Sequence, residues 1–186
     1  MMKDLIANSI KKHSEVLTLL TEDTIHSAGT KILSSIASGG TIFWCGNGGS
    51  ASQANHLSAE LVGGMYQKKI QPFKSICLNV DTAFITAWSN DDSFDNIFVR
   101  QLEALSQSGD VLISLSTSGN STNIVNAAKF AQSNNLKVVS LTGHNGGTLK
   151  SHSDININIS TDSTQHIQEM HLLIGHILCD IIEKTL

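Results

Sequence analysis

The sequence predicts an α/β fold in which a five-stranded parallel sheet lies between two layers of helices, preceded by a helical hairpin. Three observations carry this. The runs 41–45, 110–115 and 138–142 are apolar and almost free of charge, as suits strands buried on both faces. Each is followed by a glycine- or serine-rich turn and then by apolar residues at helical spacing. From Thr41 onward strand and helix alternate, and a helix between successive strands returns the chain to the same end of the sheet, so the strands pair in parallel.

In chain order, residues 1–38 read as two helices. Leu5, Ile6, Ile10, Val16, Leu17 and Leu20 form one stripe; Ile25, Ala28, Ile32, Leu33 and Ile36 form another after Thr21-Glu22-Asp23, and Gly39-Gly40 ends it. This hairpin precedes the first strand and is expected to pack on the domain or on another subunit, with His13 and His26 at the surface. The first strand, 41–45, enters Gly46-Asn47-Gly48-Gly49, where glycines permit positive φ and a close approach of backbone N–H groups to a ligand. Ser50 is the predicted N-cap of a helix from about Ala51 that offers Ala54, Leu57 and Leu61 to the sheet. Residues 61–72 read as a loop. Phe73–Val80 is the second strand, Asp81 or Thr82 caps a short helix to Ala87, Ser89-Asn90-Asp91-Asp92 breaks it, and helix resumes over 95–107.

The third strand, 110–115, ends in Ser116-Thr117-Ser118-Gly119-Asn120-Ser121, and a helix with Ile124, Val125, Ala127, Ala128 and Ala131 follows. The fourth strand, 138–142, leads to Gly143-His144-Asn145-Gly146-Gly147 and a short helical segment. Strict alternation over 154–159 marks an edge strand with one wet face. The last helix starts near 162–164 and runs to about Lys184. At 100° per residue, Gln168 and His176 lie about 80° apart on it, with Gly175 beside Gln168, while His171 lies about 140° from His176 and is expected at the surface or an interface. The rest of this helix is apolar nearly all round, which predicts an oligomer.

Composition narrows the function. A chain of 186 residues suits one domain, and a net charge of -4 without a basic run disfavours nucleic acid and anionic membranes as partners. No apolar run approaches a membrane span and Met1-Met2-Lys3-Asp4 is unlike a signal peptide, so a cytoplasmic location is expected. Cys45, Cys77 and Cys179 each stand in apolar sequence and are expected to be buried, reduced thiols.

Two stretches carry candidate chemistry. His56 and Glu60 are spaced i, i+4 on one helix face, the spacing of a metal-ligand or acid/base pair and equally of a solvated surface pair. The glycine pattern before them fits neither a dinucleotide fingerprint nor a nucleoside triphosphate loop. The hydroxyls of Ser116, Thr117, Ser118 and Ser121, at the start of a helix with its positive dipole end, suit a phosphate monoester without any lysine or arginine. An ordinary hydroxyl-rich N-cap is the other reading. Asn90-Asp91 is by itself a common turn former.

Taken together, Cys45-Gly46-Asn47-Gly48-Gly49-Ser50-Ala51, His56 with Glu60, Asn90-Asp91, Ser116 to Ser121, Leu141-Thr142-Gly143 and Ile167-Gln168-Glu169-Met170-His171, with His176 beyond, resemble the phosphoheptose isomerase family of sugar isomerase (SIS) domains across nearly the whole chain. The resemblance implies an SIS-type, flavodoxin-like three-layer sandwich. It also implies a homotetramer with sites between subunits and one zinc per subunit. The activity implied is conversion of sedoheptulose 7-phosphate to D-glycero-D-manno-heptose 7-phosphate, for lipopolysaccharide or capsule heptose. By position it places His56, Glu60, Gln168 and His176 around the metal and Ser116, Thr117, Ser118 and Ser121 around the phosphate. Asn47, Gly48, Gly49, Ser50, Glu60, Asn90, Asp91 and Gln168 would face the sugar, with Glu60 as base and His176 as acid or proton relay.

The chain departs from the family pattern twice. Gly63-Gly64-Met65-Tyr66 lacks the usual arginine, and His166 stands where another arginine is usual; Lys68 or Lys69 is the nearest replacement in sequence. Two non-catalytic readings stay open beside the enzyme: an SIS regulator that binds the replication initiator DnaA, and a sugar-phosphate sensor. Retention of both Glu60 and His176 favours the enzyme.

Overall fold

In a computed structural model that describes residues 1–66 and 71–186, the apolar runs become strands β1 (Ile42–Gly46), β2 (Ser75–Cys77), β3 (Val111–Ser116), β4 (Lys137–Gly143) and β5 (Ile155–Ile159). The helices are α1 (Met2–Leu17), α2 (Glu22–Ala37), α3 (Gly49–Gly63), α4 (Thr82–Asp91), α5 (Ile97–Leu105), α6 (Thr122–Ser133) and α7 (Thr164–Thr185). All strand pairs are parallel, in the order β2-β1-β3-β4-β5. The order turns back between β1 and β3, and a crevice forms at the carboxyl ends of strands at such a point.

Every residue of β1 and β3 is buried because helices cover both faces of the sheet. Ile42, Trp44, Ile113, Leu115, Leu141 and Ile157 pack with Ile32 of α2, Leu57 of α3 and Ile174 of α7. On the opposite face Phe43, Leu112 and Val138 meet Phe98 and Leu102 of α5 and Ile124 and Ala128 of α6. β5 is the predicted edge strand, and Cys45, Cys77 and Cys179 are free and buried. No helix among the described residues is long and apolar enough to cross a membrane.

Several local expectations change. Helix α3 begins at Gly49, ahead of the predicted Ser50 cap, because Gly48 takes φ 56° and turns the chain early; Ser50 is buried inside the first turn. Its other end continues through Gly63, so the loop expected over 61–72 begins later, while Lys68 and Lys69 lie outside the described residues. Strand β2 is three residues long, much shorter than predicted. Beyond it, Asn79 replaces strand backbone with its amide, accepting from Gly46 N (3.1 Å) and donating to the Gly46 carbonyl (2.8 Å). Asn90 and Asp91 occupy the last turn of α4 and do not break it.

The apolar character of α7 is satisfied largely within the chain, where Ile167, Met170, Ile174, Leu178 and Ile182 are buried. The unpartnered apolar face belongs to α1: Leu5, Ile6 and Ile10 are each more than half exposed. His171 is not at a surface. It is fully buried, and its Nε2 donates to the Thr142 carbonyl at 3.1 Å.

Helices α3 and α7 lie side by side in the same direction, and Gly175 is what lets them touch. A Cβ on Gly175 would sit 2.2 Å from Leu57 Cδ1, and Leu57 is itself fully buried and has nowhere to go. Gly175→Ala is therefore expected to cost about 1–3 kcal/mol in denaturant unfolding by overpacking. Gly63→Ala, whose Cβ meets nothing within 4 Å, should leave stability unchanged or raise it slightly. Burial holds the His171 pKa down at about 4, below its ordinary 6.5, despite the Thr142 carbonyl. The unfolded chain thus takes up a proton between these values that the folded chain refuses, and stability falls as pH drops from about 6.5 toward 4, by up to roughly 3 kcal/mol. Urea unfolding of wild type and His171→Gln across this range should show the pH slope shrinking in the variant.

Candidate active site

The two loops singled out from the sequence lie at the carboxyl ends of adjacent strands β1 and β3. A reciprocal amide pair ties them together: Asn47 Nδ2 donates to Asn123 Oδ1 and Asn123 Nδ2 to Asn47 Oδ1, both at 2.9 Å. Sequence reasoning missed Asn123. Its signal was a polar residue set among the buried Ile124, Val125, Ala127 and Ala128 of α6. With both ends of its amide so engaged, Asn47 braces the two loops together and is not free to face the sugar hydroxyls as expected.

In the hydroxyl loop, Ser116 Oγ accepts from Gly119 N (3.2 Å) and Ser118 Oγ from Asn120 N (3.1 Å). Each hydroxyl orders the backbone with a lone pair and keeps its own hydrogen to donate to an anion. Ser121 is the N-cap of α6 but makes no side-chain cap bond, so the plain capping role is not the one it fills. Asn120 fastens the loop from outside, its Oδ1 accepting from Thr148 N (2.9 Å) and Thr148 Oγ1 (3.0 Å). Gly143 N donates to the Thr117 carbonyl (3.0 Å). The positive end of the α6 dipole faces this cradle.

Along α3 and α7 the chemistry-bearing residues pair in register. Gln168 lies against Gly49, where a Cβ would come within 2.7 Å of its Nε2, and Gln53 Nε2 donates to the Gln168 carbonyl at 2.6 Å. Two turns further on, His56 Nε2 and His176 Nε2 are 2.8 Å apart with their rings at 86°. Glu60 Oε1 is 3.6 Å from His56 Nε2. Three of the four predicted metal residues thus gather at one place, and the fourth, Gln168, sits nearer the glycine loop.

Among the described residues no three His, Cys, Asp or Glu side chains form a ready-made metal group. The donor chemistry still fits zinc. The two Nε2 atoms are turned toward one another, so a single cation could meet both. Two imidazoles on a tetrahedral zinc have nitrogens about 3.3 Å apart, only a few tenths of an ångström wider than here. Glu60 would have to turn toward the pair to become the third donor.

Asn90 and Asp91 are exposed and hydrogen-bonded to one another (2.8 Å), and no hydrogen bond joins them to the other site residues among the described residues. His166 is buried, its Nδ1 2.5 Å from Ser163 Oγ. A shallow groove of about 350 Å³, lined by Ala51, Ser52, Asn55, Asn79 and Val80, flanks the start of α3. A larger one of about 630 Å³, lined by residues such as His26, Lys31 and Lys137, lies at the far end of the sheet from this chemistry.

The SIS domain model matches residues 6–143. The chain is 40% identical to the phosphoheptose isomerase of Aliarcobacter butzleri, over 100% of this chain and 99% of the relative. It is 42% identical to that of Helicobacter hepaticus, over 98% and 94%. Among solved structures, it superposes on phosphoheptose isomerase GmhA from Neisseria gonorrhoeae with a TM-score of 0.93 and on a phosphoheptose isomerase from Francisella tularensis with 0.96. Both are 33% identical, and 100% of each chain is covered. With its sheet order, its hydroxyl loop and its paired helices α3 and α7, the chain belongs to the phosphoheptose isomerase family of SIS-domain proteins.

Proposed function

We propose that the chain interconverts sedoheptulose 7-phosphate and D-glycero-D-manno-heptose 7-phosphate through an enediol, supplying heptose for lipopolysaccharide or capsule. The observation that carries this reading is the meeting of His56, Glu60 and His176 between two parallel helices that start beside an anion cradle. From Gly49 to His56 is about 10 Å along α3, comparable to the span from phosphate to C1 in an open seven-carbon chain. Ser116, Thr117, Ser118 and Ser121 hold the phosphate, Gln168 and the Gly48-Gly49-Ser50 backbone face the hydroxyls, and the reacting carbons lie at the imidazole pair.

In the forward direction Glu60 takes the proton from C1 and the C–H electron pair forms the C1–C2 double bond. The C2 carbonyl oxygen receives a proton from His176. The enediol then gives its O1 proton back to the now unprotonated His176 nitrogen, the C1 carbonyl forms, and Glu60 returns its proton to C2. His56, whose Nε2 lies 2.8 Å from that of His176, keeps that imidazole oriented. Zinc, one per subunit, would be held by His56, His176 and Glu60 and would polarise the carbonyl oxygen, leaving the other His176 ring nitrogen as the proton donor, while Gln168, two turns along α7, stays with the sugar hydroxyls. A carboxylate bound to metal is a weaker base, so Glu60 would work best with a loose hold on the cation.

The exposed apolar face of α1 supports assembly into a homotetramer through the N-terminal hairpin, with Asn90 and Asp91 completing a site between subunits. A phosphosugar substrate suits a cytoplasmic enzyme, and among the described residues no helix is long and apolar enough to cross a membrane.

Incubation with sedoheptulose 7-phosphate in deuterated water, followed by NMR, should show loss of the C1 proton signal and growth of aldose. Absence of both with zinc present would favour the DnaA-binding regulator or the sensor. Glu60→Gln should lower turnover by about 10²–10⁴-fold while ligand binding persists. Chelation should remove zinc and activity together, and metal analysis of His56→Ala should show less zinc per chain; full activity in metal-free protein would leave zinc without a catalytic role. Ser116→Ala and Ser118→Ala should raise KM more than they lower kcat, as expected for groups that hold the unreacting phosphate.

A further inference from the structure

Glu183, near the end of α7, is buried although it carries a carboxylate, and the α3/α7 chemistry described above does not use it. Its Oε2 accepts from Met65 N at 2.7 Å and its Oε1 from Tyr66 N at 3.1 Å. These two N–H groups belong to the first residues after α3. The helix ends at Gly64, which takes φ 81°, and Gly64 N donates to the carbonyl of Glu60 at 2.8 Å. The turn that terminates α3 is therefore the turn that carries Glu60, and Glu183 holds its exit.

The same stripe of α7 that brings His176 to His56 continues one turn on to Cys179, whose thiol donates to the Leu57 carbonyl at 3.8 Å, and one further turn to Glu183. Burial, with Glu60 and Glu183 adding to it, pushes the Cys179 thiol up to about 12, so a neutral thiol lies beside both carboxylates. Buried charge-assisted bonds to backbone N–H groups are strong and directional. Without them two N–H groups would leave the helix with no acceptor, and the last turn of α3 would be free to unwind.

We propose that Glu183 is a positioning residue for Glu60: by clamping Met65 N and Tyr66 N it fixes the final turn of α3 and so the direction in which the Glu60 carboxylate faces the substrate. This rests on Glu60 being the base. Lys184, the next residue, pairs with Asp180 at 2.8 Å and lies over the Tyr66 ring at 5.4 Å; it touches that side chain but not the backbone N–H groups that Glu183 holds.

The test compares full-length wild type, Glu183→Gln, Glu183→Ala, Lys184→Ala and Glu60→Gln in the sedoheptulose 7-phosphate assay, with the melting temperature and oligomer mass of each. Glu183→Ala should lower kcat by about 10- to 100-fold with KM changed less than about twofold, the cost of a base displaced by a fraction of an ångström to an ångström. Glu183→Gln, whose amide oxygen still accepts one N–H, should recover part of that loss, and Lys184→Ala should match wild type. Folded Glu183→Gln and Glu183→Ala proteins with wild-type kcat, beside an inactive Glu60→Gln, would overturn the clamp and leave the base assignment standing. If Glu183→Ala does not fold, Glu183→Gln alone decides: a kcat drop at constant KM supports the clamp, and wild-type kcat refutes it. An active Glu60→Gln would overturn the base assignment and the clamp with it.

Discussion

The contact on which the rest depends is the one between Gly175 and Leu57. Two helices separated by most of the chain can run in parallel at close range only if one side chain is missing at the crossing, and the absent Cβ of Gly175 provides that room. Leu57 is fixed from the other side by the sheet, so the contact has one stable geometry. Its neighbours in sequence, His56 and His176, are brought face to face as a direct result. The same register aligns Gln168 with Gly49 at one end and Glu183 with the exit of α3 at the other. One packing contact thus sets the register of the polar side chains along α3 and α7.

The sheet does the complementary task. Its order places β1 and β3 side by side, so the glycine loop and the hydroxyl loop are adjacent at the crevice although long stretches of chain separate them. Backbone geometry alone would leave these loops free to move independently. The Asn47–Asn123 amide pair removes that freedom, and Asn120 adds a tie to the segment after β4. The hydroxyl loop offers oriented hydroxyls and a helix dipole, with no lysine or arginine in the loop itself, an arrangement suited to a phosphate that must be released after turnover.

The long-range order of the chain was legible where the physics is local. Uncharged runs specified the buried strands and alternation specified the edge strand, because burial on one or two faces leaves its mark on composition. What was not legible depends on partners far along the sequence. Nothing near Ser50 says that Gly48 will turn the chain first, and nothing in 73–80 says that Asn79 will stand in for strand backbone beside a short β2. His171 looked like a surface residue from helical phase alone; burial followed from the position of Thr142, which phase does not encode. The site residues were identified by resemblance to a family more than by spacing. The His56–Glu60 pair reads from its own helix as a solvated pair or as a site, and only its contact with His176 distinguishes the two.

The most direct measurement of the central claim is a crystal structure of the full chain with sedoheptulose 7-phosphate bound. The account requires the phosphate among Ser116, Thr117, Ser118 and Ser121, and C1 within reach of Glu60 beside the His56–His176 pair. A phosphate held elsewhere, or a sugar whose C1 and C2 lie away from Glu60 and His176, would contradict it.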